Sequence, residues 1–331
     1  MSYKTAFRDV IRDYEVDRER SAALLNKRKA EIYDSLPKLK VLDEAISQSA
    51  LTAAKQILAA GEKNKDIEAW LTKSQNLIAE KKQLLAENGV PEDYLAEIYQ
   101  CDICKDTGYV ENMRCRCLKQ RMIDKYYDLS NIRDLLEIEN FDNFDIRYYS
   151  KTVDSSVGMS PYQNIQRIYR ISADFVREFD SSFQNLLFYG DTGLGKTFMC
   201  NCIAKDLLDN GHTVLYVTAP QIFKLVEDYR FNRNDMEEPD YVIDAVTDVD
   251  LLVLDDLGAE FSTIVTSAAL FDIINQRLLA KKSTVISTNL SLVEFEAQYS
   301  ARIFSRFLGH YRMSKFIGDD IRAKKKYSEL S

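Results

Sequence analysis

Gly190-Asp191-Thr192-Gly193-Leu194-Gly195-Lys196-Thr197 decides how this chain folds. The stretch spells G-x-x-x-x-G-K-T, the spacing of a phosphate-binding loop. An apolar run, Leu186 to Tyr189, precedes it, and a segment of helical character, Phe198 to Leu208, follows it. Strand, loop and helix in that order are the context the motif requires. Glycines let the backbone curl until successive N–H groups point at phosphate oxygens. The following helix aims its positive N-terminal end at the same point. Lys196 can reach β- and γ-phosphates, and the Thr197 hydroxyl can ligate Mg²⁺.

Further along, Leu251-Leu252-Val253-Leu254 is an apolar β-type run ending in Asp255-Asp256. A buried parallel strand that delivers a carboxylate at its C-terminal end is how such folds hold magnesium. Asp255 is expected to hold the metal through its water shell, and Asp256 to polarise the attacking water. A third run, Thr284 to Thr288, ends in Asn289, whose amide can orient that water beside the γ-phosphate. Between Leu186 and Thr288 strands alternate with helices: Leu186–Tyr189, Phe198–Leu208, Val214–Val217, Pro220–Tyr229, Leu251–Leu254, Ser267–Leu279, Thr284–Thr288. Alternation of this kind predicts an α/β fold, a parallel sheet flanked by helices, with the nucleotide at the carboxyl ends of the strands.

Upstream the pattern changes. From Tyr3 to Asn88 nearly every residue favours helix, with breaks at Pro37, Gly61 and Gly89-Val90-Pro91. Ile67, Trp70, Leu71, Ser74, Leu77, Ile78, Lys81, Leu84 and Leu85 recur at helical spacing. Two or three amphipathic helices in a hairpin or small bundle are expected there, an all-α module that carries none of the nucleotide motifs. Next, Cys101-x-x-Cys104 and Cys115-x-Cys117 offer four close thiols, the set that holds a structural Zn²⁺ tetrahedrally. Free thiols in a loop are the simpler alternative. Cys200 and Cys202 fall on different faces of the helix after the phosphate loop and read as packing residues. The organisation expected is therefore a helical partner-binding module over 1–99, the cysteine cluster with a connecting helix over 100–140, and the ATPase domain over 141–331.

Composition narrows the function classes. A net charge of −8 excludes a generally basic nucleic-acid binder, so any such contact is a local patch. No apolar run approaches the roughly 20 residues that cross a bilayer, and Met1 to Tyr14 lacks an apolar signal core. A cytoplasmic protein without a membrane role is expected, with its cysteines as thiols or metal ligands.

GDTGLGKT, DLLVLDDLGAE, the strand end ISTN and the box SARIFSRF together resemble the AAA+ ATPases of the bacterial helicase-loader family, the DnaC/DnaI type, and the related IstB-like ATPases that assist transposases. The resemblance runs from roughly Phe141 to Arg322. It implies an ATPase using ATP and Mg²⁺, a homo-oligomer in the ATP state, a replicative hexameric helicase of the DnaB type as partner, and single-stranded DNA as a further ligand. Lys281-Lys282 and Lys324-Lys325-Lys326 are the candidates for that DNA contact. It also implies that Arg306 is an arginine finger completing a neighbour's site, and that Arg322 is a C-terminal sensor on the γ-phosphate. Arginine keeps its charge at neutral pH and grips phosphate bidentately, which suits both roles. In a chain without this resemblance, Arg302 and Arg306 would read as a solvated helix face. Asp256 stands where many AAA+ proteins carry Glu, so slow turnover is expected. A transposase helper and a slow or non-hydrolysing ATP-switch scaffold are the rival functions.

Overall fold

The computed structural model describes residues 3–60, 66–126, 130–155, 157–231, 245–260 and 263–329. It divides into two compact units, one of residues 11–107 and the other of residues 1–10 with 108–331. Among the described residues no helix is long and apolar enough to cross a membrane.

The first unit is helical. Helix α1 (Tyr3–Ser35) stops before Pro37, which opens α2 (Pro37–Ala60). Proline lacks the N–H that the first turn leaves unused and fixes the φ that a helix needs. Helix α3 (Asp66–Glu87) ends at Gly89, whose φ of 68° lets the Val90 N–H turn back to the Leu85 carbonyl at 3.0 Å. Ile32, Leu39 and Leu85 are buried with Leu36, Leu84, Val90, Tyr94 and Leu95 around them. Lys81 joins α3 to Asp43 of α2 at 2.6 Å. Ser74, Leu77, Lys81, Leu84 and Leu85 lie on the covered side as their spacing predicts, whereas Ile78 is exposed. The side chains of Ile67, Trp70 and Leu71 and the break at Gly61 lie outside the described residues.

The second unit holds a small hairpin, β1 (Tyr109–Val110) with β2 (Met113–Arg114), then α4 (Arg116–Tyr126) and α5 (Ser130–Ile138). Helix α6 (Pro161–Arg177) follows, opened by a capping box between Ser160 and Gln163. From there the expected alternation appears: β3 (Leu186–Tyr189), α7 (Lys196–Asp209), β4 (Val214–Thr218), α8 (Ala219–Phe231), β5 (Leu251–Leu257), α9 (Ile264–Ala280), β6 (Ser283–Thr288), α10 (Leu292–His310), β7 (Arg312–Lys315) and α11 (Ile321–Glu329). The five strands are all parallel, in the order β4-β5-β6-β3-β7. The fold is thus an α/β fold, with a parallel sheet flanked by helices.

Side chains alternate across a strand, and here both sets are buried. Leu187, Leu215, Leu252, Leu254 and Ile286 pack with α8, α9 and α10 on one face. Leu186, Phe188, Tyr216, Val253 and Val285 pack with α6 and α7 on the other. Cys200 and Cys202 are both fully buried, as packing residues would be.

Strand β5 departs from expectation. It does not end at Leu254 but runs on to Leu257 through a register shift between Leu254 and Leu257. Asp256 adopts a φ of 53° in that shift. A bulge of this kind re-aims a side chain at the end of a strand. Strand β7, Arg-Met-Ser-Lys, carries no strand pattern of its own; it forms by pairing with the edge of β3.

Within α9, Arg277 is 1% exposed. Its guanidinium donates to the carbonyls of Val246 at 2.7 Å and Ser283 at 2.6 Å, and to the Thr284 hydroxyl at 3.0 Å. Burial pushes its pKa down to about 10, so it stays charged at neutral pH.

Candidate functional site

The phosphate loop joins β3 to α7 at the carboxyl end of the sheet. Gly190 has a φ of 134°, and a Cβ there would lie 2.4 Å from the Phe316 carbonyl oxygen, just past β7. Gly195, the N-cap of α7, has a φ of 92°, and a Cβ there would meet the Tyr149 hydroxyl at 2.6 Å. Glycine is therefore required at both positions by backbone conformation and by close approach. The Tyr149 hydroxyl, itself buried, donates to the Leu194 carbonyl at 2.9 Å and braces the loop from the segment before α6. On the other side the Ile321 N–H donates to the Gly193 carbonyl at 2.9 Å, so α11 starts against the loop.

Lys196, 4% exposed, donates to the carbonyls of Gly190 and Asp191, both at 2.7 Å. Burial holds its pKa below the usual lysine value, countered by the charges of Asp256, Asp255 and Asp191. The Thr197 hydroxyl lies 3.3 Å from Asp255 Oδ1. Asp255 is held from two further directions: the Tyr216 hydroxyl donates to Oδ2 at 3.0 Å, and the Ser287 hydroxyl donates to Oδ1. Burial pushes the Asp255 carboxyl above its ordinary pKa, while the hydroxyl bonds work the other way. A buried carboxylate beside a threonine hydroxyl is a hard-oxygen donor set, the chemistry that suits magnesium.

One cleft gathers most of the residues expected from the sequence. Thr192, Gly193, Gly195, Lys196, Thr197, Asp256, Asn289 and Arg322 all line it. The Asn289 amide donates to Asp256 Oδ1 at 3.3 Å, and the Asp256 N–H donates to the Ser287 hydroxyl at 3.0 Å. Arg322 enters from the first turn of α11, which is capped by Asp320 through the Arg322 N–H at 2.8 Å. Asp255 sits behind Thr197 and Asp191 contributes its carbonyl, as described above. Arg306 does not line the cleft. It is exposed on α10, as is Arg302, beyond a break at Ser300 where φ is 76°.

The basic candidates are largely engaged. Lys282 pairs with Asp250 at 2.8 Å and Lys324 with Asp319 at 3.0 Å, while Lys281 is exposed at the left-handed C-cap of α9.

The four cysteines come together within a short local stretch. The sulfur atoms of Cys101, Cys104, Cys115 and Cys117 all lie within 4.8 Å of one another. Four thiolates at about 2.3 Å from one ion stand about 3.8 Å apart, so the cluster can hold a metal. Asp106, fully buried, shapes the first pair: its carboxylate accepts from the N–H groups of Gln100 and Cys101, both at 2.9 Å. Sequence reasoning missed Tyr149, Tyr216, Ser287 and Asp106. Only Ser287 carried a signal, as a hydroxyl in an otherwise buried strand that ends in Thr288-Asn289.

The family model for IstB-like ATP binding protein matches residues 158–328, just over half of the chain. Replicative helicase loader DnaC of Escherichia coli K12 is 28% identical over 151 residues, covering 45% of this chain and 61% of that protein. The protein of the same name from Buchnera aphidicola subsp. Baizongia pistaciae is 24% identical over 196 residues, covering 59% of this chain and 74% of that protein. The crystal structure of DnaI is similar with a TM-score of 0.45 at 21% identity, over 56% of this chain and 94% of that one. The chain thus spans about six tenths of the length of the E. coli relative.

Proposed function

The chain belongs to the IstB-like ATP-binding protein family, and we propose that it is an ATP-dependent loader of a replicative hexameric DNA helicase. The observation that carries the proposal is the cleft that gathers Lys196, Thr197, Asp256, Asn289 and Arg322, with Asp255 behind them. Two relatives named as replicative helicase loaders direct the choice of task. In this reading Lys196 grips the β- and γ-phosphates of ATP, and Thr197 and Asp255 hold Mg²⁺. The ion, when bound, neutralises charge that develops on the phosphates. Asp256 orients the attacking water, and Asn289 fixes Asp256. Arg322 reaches the γ-phosphate from α11. The exposure of Arg306 suits an arginine supplied to a neighbouring subunit, so that assembly and hydrolysis are coupled. Aspartate at 256 is shorter than glutamate by one methylene and reaches the water less well, which favours a slow switch.

The cysteine cluster is proposed to hold one structural Zn²⁺. The expected result is about one zinc per chain in protein purified without added metal, measured by elemental analysis. Chelation should then free four thiols and loosen the segment around Asp106, since thiolate ligation couples metal binding to local folding. Zinc-free protein whose four thiols already react under native conditions would remove the metal from the account.

The helical unit is proposed to hold the helicase. Val16, Leu24, Val41, Leu51 and Ile78 are exposed on its helices and offer apolar contacts to a partner. Single-stranded DNA is the second proposed partner, approached through local cations such as Lys281. The proposed setting is the cytoplasm. The family match itself favours one rival, an ATPase that assists a DNA-bound transposase. Capture of partners by the full-length chain from its native cell separates the two. The loader reading expects a hexameric helicase retained with or without ATP; recovery of a transposase and no helicase would establish the rival.

A further inference from the structure

Four residues line the nucleotide cleft without a part in the chemistry above: Glu139, Phe198, Ile321 and Lys325. Phe198 follows Thr197 on α7, and Asn201 stands one turn further along the same face. Asn201 is 1% exposed, and its amide donates to Glu139 Oε2 at 2.6 Å. Among the described residues the buried Asn201 carbonyl oxygen has no partner, so the bond to Glu139 sets how the amide is turned. Glu139 stands just after α5, half-buried, and Oε2 is the only carboxylate oxygen for which the described residues provide a hydrogen bond. A fixed carboxylate in a cleft for a polyanion is unfavourable unless the ligand brings a donor to it. The surroundings are aromatic, with one cation among the rings: Phe144 meets the Phe198 ring edge-on at 5.5 Å, and Lys325 Nζ lies 5.7 Å from that ring and 5.3 Å from that of Tyr148. Such a wall suits a nucleobase better than a ribose.

We propose that Glu139, positioned by Asn201, selects the base of the nucleotide by accepting a hydrogen bond from an exocyclic amino group, that of adenine. This rests on the reading of the cleft as an ATP site. With Oε2 committed to Asn201, one acceptor remains. The N1–H and N2 amino edge of guanine calls for two parallel acceptors, and a 6-oxo group would face the carboxylate as a second acceptor. A single 6-amino donor satisfies the site.

The test is competition binding to the full chain with ATP, ITP and purine riboside triphosphate, which carries no 6-amino group. For the native chain, ATP should bind about tenfold more tightly than the other two. Glu139→Ala should abolish the preference: ATP weakens, while purine riboside triphosphate, no longer set against an unsatisfied carboxylate, binds at least as tightly as to the native chain. Glu139→Gln is the sharper variant. Its carbonyl keeps the Asn201 bond, and its NH₂ then faces the base, so ATP weakens while ITP binds more tightly than to the native chain. Equal loss for all three ligands, or an unchanged ATP preference, overturns base selection. In that outcome the ATP reading still stands, provided Lys196→Ala weakens binding on the order of 100-fold. Failure of the native chain to bind any of the triphosphates overturns both.

Discussion

Lys196→Ala lowers ATP affinity on the order of 100-fold, about 3 kcal/mol, and leaves the fold intact. The side chain is 4% exposed, and its ammonium is held by the Gly190 and Asp191 carbonyls at 2.7 Å. It is therefore held ready in the loop before any phosphate arrives, and little ordering cost is left for binding. A charge-assisted contact in a buried position is worth about twice a neutral one. Truncation removes the cation and leaves Asp255 and Asp256 uncompensated beside an incoming polyanion. Titration with a fluorescent ATP analogue, alongside circular dichroism, gives both halves of the result. Unchanged affinity in a folded variant would remove the loop from the binding site.

Arg277→Ala destabilises the nucleotide-binding unit by about 3 kcal/mol. The substitution takes the guanidinium away from the buried carbonyls of Val246 and Ser283 and removes one partner of the Thr284 hydroxyl, which keeps its bond with Tyr311. Burying that cation has a cost of its own, visible as its depressed pKa, so the net loss is smaller than the count of bonds suggests. The sign with pH follows. A base whose folded pKa lies below its unfolded value destabilises the fold by a constant amount below the folded pKa. Relief comes only as pH rises from about 10 towards the ordinary arginine value. The difference between native chain and variant should therefore be flat across the neutral range in urea unfolding. A loss under about 1 kcal/mol would mean that water replaces the guanidinium without strain.

What could be read from the sequence was whatever a short stretch dictates by itself. The phosphate loop is such a case, because its glycine φ values and its Lys-Thr pair act over eight residues. Pro37 and Gly89 marked helix ends for the same reason, through fixed or permissive φ. The parts that escaped depend on which strands become neighbours. Tyr216 and Ser287 reach Asp255 only because β4 and β6 flank β5, an order that no local pattern encodes. Strand β7 is formed by the edge of β3 and not by its own composition. The extension of β5 through Asp256 to Leu257 rests on a bulge whose left-handed residue is an aspartate, so no glycine announced it. Arg277 sits in an apolar helix where a lone cation reads as surface, and only the carbonyls arriving from Val246 and Ser283 make its burial possible. Arg306 rests on family resemblance, since it is exposed and the described residues do not define its target.

The most direct measurement of the central claim is ATP-dependent deposition of a replicative hexameric helicase on a circular single strand, followed as the helicase that co-sediments with the DNA. The account predicts that helicase appears on the circle with the full chain and ATP together, and not with Lys196→Ala in its place. Equal deposition with the Lys196→Ala chain, or none with the native chain and ATP, would contradict it.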